Sequence, residues 1–228
     1  MATLTIYPDA STGATTCDAP IQTAAEASWA AARGASSGTA YPNDSNTFVM
    51  QIFQNDLGDV FRIIRSIFTF DTSVGGTNPL SGATINSATF SIYGTSKADA
   101  AGYAYDTCVV GATPAANNSI ANGDFDQLGT TLYSSVKTYA DFSTTGYNDY
   151  TLNATGIAAI ATTGITALGI RNKNYDIDNV SPGLGPEQGT AERTDIYFAD
   201  QTGTTNDPKL VIDYTAAATT FIPIVSII

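Results

Sequence analysis

Histidine is absent from all 228 residues of this chain, and that one gap removes a large share of enzyme chemistry. Ser-His-Asp and Cys-His nucleophile pairs are excluded, as is His-ligated zinc. So is the side chain that most often serves as a general base near neutral pH. Lysine and arginine number only 9 against 21 acidic residues, for a net charge of −12. Arg62 and Arg65, three apart in one predicted strand, face opposite ways. Binding to a phosphate backbone needs clustered cations, so no nucleic-acid partner is expected, and an anionic membrane surface is disfavoured likewise. No apolar run is long enough to span a bilayer as a helix, so no membrane insertion is expected. No glycine-rich run leads into Lys-Ser/Thr and a helix, which leaves out a phosphate-cradling loop.

Cysteine is almost as scarce. Cys17 and Cys108 are the only two, too far apart in sequence for a metal knuckle. Either they are free thiols in or near a core, or in an oxidising compartment they form a disulfide. Such a bond would close a loop of roughly ninety residues and contribute on the order of 4 kcal/mol. The chemistry that remains is that of carboxylates. Asp176 with Asp178, or Glu187 with Glu192, has the composition of a glycosidase pair. With 21 acidic residues such pairs arise by chance, so no enzyme is expected. No cofactor is expected beyond a candidate structural calcium: Asn172 to Asn179 crowds hard oxygen ligands, Asp176 and Asp178 foremost, into one loop. Asp124 and Asp126 form a second group. The alternative for both groups is solvated turn acids.

What the chain has in quantity is β pattern. Apolar residues make up 43% and charged residues 13%, about half the usual charged share, so Thr, Ser, Asn, Ala and Gly must carry the surface. Arg65–Ser73, Ala83–Tyr93 and Tyr197–Tyr214 alternate apolar with polar residues and are punctuated by turn formers. The pattern predicts strands at 3–8, 47–55, 60–71, 84–94, 104–113, 131–139, 147–153, 165–172, 194–199 and 208–214. Strands of that number and spacing predict an all-β fold, an antiparallel jelly-roll-like β-sandwich with long loops, as one domain over 1–215. Residues 10–46 read as a long decorated loop holding at most one helical turn. A short helix is predicted near 155–162, capped by Thr155, with Ile157 and Ile160 inward. Met1 leads straight into the first strand rather than a secretory leader. The expectation is a protein used without that export route, as a virion protein is, or a mature form.

Binding candidates sit on the loops. Trp29, the only tryptophan, is either a stacking platform for a sugar ring or a lid over the core. Tyr175 lies in the long 172–194 loop, at the kind of position where rigid sandwiches carry their binding surfaces. After Tyr214 comes a tail, 216–228, whose last eight residues are apolar but for Ser226. Phe221, Ile222, Ile224, Val225, Ile227 and Ile228 make it a candidate assembly segment, docking on a neighbouring subunit by strand addition or apolar packing. The alternatives are a last strand on its own domain or a disordered end.

The strand Arg65–Ser73 with its Phe-Asp-Thr-Ser ending, Ala83–Tyr93, and the closing Asp207-Pro-Lys-Leu-Val-Ile-Asp-Tyr214 together resemble DNRLRE-type β-sandwich domains, which are similar to family 96 carbohydrate-binding modules. Gly146–Ala154 and Tyr197–Gly203 look like single-domain versions found in phage and environmental viral sequences. The resemblance spans roughly 3–215 and implies a non-catalytic surface module. With the apolar tail it leads to the expectation of a structural surface protein of a phage or similar extracellular assembly, at the virion or cell exterior. Its partners would be copies of itself or other virion or appendage subunits. The alternative is a stand-alone carbohydrate-binding module or adhesin with surface glycans as ligands.

Overall fold

A computed structural model describes residues 1–10, 14–43, 46–54, 61–99, 102–182 and 191–218. The chain is an all-β sandwich of two antiparallel sheets with a few short helical turns. Its strands are β1 (Ala2–Ile6), β2 (Asp18–Gln22), β3 (Thr39–Ala40), β4 (Asn46–Gln54), β5 (Phe61–Asp71), β6 (Thr84–Asp99), β7 (Thr107–Ala112), β8 (Leu128–Leu132), β9 (Tyr147–Thr151), β10 (Ile165–Asn172), β11 (Ala191–Tyr197) and β12 (Lys209–Thr215). Hydrogen-bonded neighbours run β1-β12-β6-β11-β4-β5-β10-β7-β8, with β9 added to β6 and the β2/β3 pair added to β5. No helix among the described residues is long and apolar enough to cross a membrane.

One layer is built on β6, whose first residues Thr84 and Asn86 are exposed and whose Ala88, Phe90 and Ile92 then enter the core. It pairs with β12 through Leu210↔Phe90 and with β9 through Phe90↔Tyr150. The other layer is β2, β5, β10, β7 and β8, with Ile170 opposite both Ser66 and Val109. β11 and β4 join the two layers at one end. Between the layers, Phe68 meets Phe90 at 5.0 Å and stacks on Phe198 at 5.7 Å. Phe70 meets Phe90 edge-on at 5.7 Å.

The second layer is covered on its outer face too, and here the predicted loop needs correction. Residues 10–46 hold β2, the helix α1 (Trp29–Arg33) and β3. Four of the five residues of β2 are buried, Asp18 and Pro20 among them, residue types that read as turn formers rather than strand. Ser28 caps α1 by accepting from the Ala31 N–H at 3.1 Å. Further corrections are smaller. The strand predicted at 131–139 lies at Leu128–Leu132, and beyond it only Ser134 and Lys137 make isolated bridges. The helix predicted near 155–162 is α2 (Ala154–Ala158), capped by Asn153 rather than Thr155. Ile160 is buried as expected and Ile157 partly so. A 3-10 turn at Asn122–Asp126 and a π turn at Lys173–Ile177 complete the outer cover.

Candidate functional site

Asp176, in the π turn, is fully buried and held from two sides. Arg65 donates from Nε to Oδ2 and from Nη2 to Oδ1, both at 2.8 Å. Arg171 does the same at 2.8 and 2.6 Å. The two arginines meet because β10 and β5 pair with Ile170 opposite Ser66, so the next residue along β10 faces Arg65 across the sheet. Further N–H groups of both are used as well. Arg65 donates to the Phe125 and Arg33 carbonyls, and Arg171 to those of Leu128 and Gly129. The Arg65 guanidinium also lies 4.1 Å over the Phe125 ring, and Arg33 Nε donates to the Asp176 carbonyl at 2.6 Å. Burial alone would push the Asp176 carboxyl up. The hydrogen bonds and charges of Arg65 and Arg171 outweigh it and hold the carboxyl below its ordinary value.

That arrangement corrects the calcium reading at Asp176. Both carboxylate oxygens face guanidinium groups, and a divalent cation there would meet two positive charges at contact distance. Asp178 is 45% exposed and ion-paired with Lys173. Asp124 is buried and accepts from the Ala115 and Ala121 N–H groups, both at 2.8 Å, so it closes its own turn. Asp126 accepts from Gln127. Among the described residues no group of three or more acidic or cysteine side chains is placed to share a metal ion.

The predicted binding aromatics turn out to be packing residues. Trp29 is 5% exposed and meets Phe61 edge-on at 5.9 Å, sealing the outer core, so it offers no ring face to a sugar. Tyr175 is half-buried. Its hydroxyl donates to the Tyr103 carbonyl at 2.9 Å and its ring meets Tyr103 edge-on, which anchors the π turn. The disulfide is also corrected: Cys17 and Cys108 are buried free thiols. Cys17 donates to the Asn117 carbonyl beside β5, and Cys108 to the Arg171 carbonyl between β7 and β10. Three inter-strand spacings of about 4.8 Å separate them across the sheet, beyond the reach of a disulfide. Burial pushes their pKa values up to about 11 and about 12. Phe221, Ile222, Ile224, Val225, Ile227 and Ile228 lie outside the described residues, as does Glu187.

The described residues leave concavities open to solvent. A cleft of about 490 Å³ lies between the end of β1 and the 199–207 loop, with Asp9 and Asp207 in its wall. A groove of about 450 Å³ lies on the outer face of β10, β7 and β8, where the cover provided by α1 and the two turns ends. Tyr133 lies across Gly111, whose backbone it approaches so closely that a Cβ there would come within 2.5 Å of the Tyr133 hydroxyl. The carbonyl of Tyr133 accepts from the Asn153 N–H at 2.8 Å, which ties the groove wall to α2. Sequence reasoning passed over this groove because no charge or motif marks it. The available signal was glycine inside predicted or adjacent strands, Gly111 and Gly129, where a sheet face is left bare.

Compared with known proteins, the chain matches no family model and is similar to no curated protein.

Proposed function

We propose that the protein is a non-enzymatic structural surface module of a phage or similar extracellular assembly, a decorating, fibre or filament subunit. The observation that carries this reading is the edge strand β1. Among the described residues it pairs only with β12, and its sequence Ala2-Thr-Leu-Thr-Ile6 has neither the lysine nor the proline that blunts exposed edges. An open, uncharged edge is a template for an added strand, and the same chain carries the apolar segment Phe221–Ile228 to supply one. β12 runs antiparallel to β1 with Ala2 opposite Tyr214, so the chain leaves β12 beside the start of this edge strand.

The full-length chain is expected to form a defined oligomer or filament by light scattering and electron microscopy. Ile224→Asp combined with Ile227→Asp is expected to return it to monomer with unchanged far-UV circular dichroism. An unaltered particle mass in that variant would remove the tail as the assembly device.

A second reading, a stand-alone carbohydrate-binding module or adhesin, is favoured by the uncharged groove on β10, β7 and β8 and by the resemblance to carbohydrate-binding sandwiches.

A further inference from the structure

We infer that the groove over β10, β7 and β8 is a binding site for a neutral saccharide. This rests on the carbohydrate-binding reading and gives it a location and a ligand charge. Its polar lining is Thr113, Asn117, Gln127, Thr131 and Tyr133, three hydroxyls and two primary amides. Among the described lining residues none carries a charge at neutral pH, in a chain with 21 acidic and 9 basic side chains. Pro114, Ile165 and Ala167 supply apolar surface between them.

That lining selects by elimination. A phosphate or uronate would need cations, and here it would meet none, on a protein of net charge −12. A basic peptide would need carboxylates in the groove. An acyl chain would strand the amides without partners. A pyranose matches both halves of the surface, because its C–H face is apolar while its hydroxyls each donate and accept. Asn and Gln amides offer both functions from one side chain, and hydroxyls do the same. The volume of about 450 Å³ falls within the range of small-ligand sites.

The groove is also built to keep its shape. On one wall, the Leu128 and Gly129 carbonyls are gripped by Arg171, itself fixed by Asp176. On another, Tyr133 is held between Gly111 and the start of α2. A site whose donors and acceptors are already positioned loses less entropy on binding.

The test is calorimetric titration of the full-length chain with cellohexaose, maltohexaose, xylohexaose and chitohexaose, and with hexaguluronate as the anionic counterpart. At least one neutral oligosaccharide is expected to bind, and more tightly than hexaguluronate. Gly129→Leu should weaken that binding by more than about tenfold. A Cβ at Gly129 has room there, since it comes no nearer than 3.5 Å to the Gly111 carbonyl. Gln127→Ala, at an exposed position, should weaken binding severalfold with an unchanged melting temperature, so the result does not depend on how the first variant folds. Binding of a neutral oligosaccharide that survives both substitutions would overturn the groove and leave the carbohydrate-binding reading standing. Preference for hexaguluronate would overturn the neutral-ligand assignment. No binding of any oligosaccharide at millimolar concentration would overturn groove and reading together, while the particle-mass experiment would stand apart.

Discussion

Arg65 is the residue on which the outer half of the molecule depends. It stands on the same strand face as Ile63 and Ile67, only 3% exposed, and its donors reach the π turn, the 3-10 turn and the end of α1 at once. A buried Arg65 needs an acid, and the one at the end of its own strand is Asp71. Asp71 instead organises its own turn, accepting from the Ser73 and Gly75 N–H groups, and the true partner Asp176 is 111 residues away. Arg65→Ala would leave the Asp176 carboxylate hydrogen-bonded to one arginine instead of two, and the Phe125 and Arg33 carbonyls short of a donor. It should cost about 3–5 kcal/mol in chemical denaturation. A loss below about 1 kcal/mol would show that water replaces the guanidinium freely.

At the scale of elements, what could be read in advance follows how each element earns its burial. β5, β6, β10 and β12 are half or wholly buried by the sandwich itself, and their alternation or apolar density is plain in the sequence. β2 escaped because its buried positions include Asp18, whose partner, the Ala199 N–H, is 181 residues distant. No local pattern reports such a contact. The same reason hid the candidate site: Tyr133 and Gln127 are unremarkable residues until β7, β8 and β10 bring their loops to one face. Helix α2 shows the finer limit. Both Asn153 and Thr155 are capping types, and the choice falls on Asn153, whose Oδ1 accepts from the Gly156 N–H while its Nδ2 donates to the Leu132 carbonyl. Asn153→Ala should therefore cost about 1–2 kcal/mol, and Thr155→Ala much less, in matched thermal melts.

The whole molecule carries two opposed responses to acid. Asp176 has a pKa held down, so the stability it contributes is present above the unfolded carboxylate value and lost as pH falls through its folded value. Asp18 behaves in the reverse sense. Burial pushes its pKa well up, with the charges of Asp200 and Asp207 adding to the push. Its contribution is complete below the unfolded carboxylate value and is lost as pH rises through the folded one. Asp207 and Asp195 shift upward as well, burial being the main cause in each. Asp18→Asn keeps an oxygen for the Ala199 N–H and removes the charge. Its melting temperature should match that of the parent near about pH 3 and exceed it increasingly from about pH 4 to 7. Parallel pH curves for the two proteins would show that Asp18 is hydrated in the folded state.

The pairing of β1 with β12 sets Ala2 directly across from Tyr214, about 5 Å away on the neighbouring strand. The polypeptide thus enters and leaves the sandwich through one doorway. A host protein could carry residues 1–215 inside a surface loop with scarcely more spread between the attachment points than a hairpin imposes. The cassette would then stand off its host like a lantern hung from a single hook.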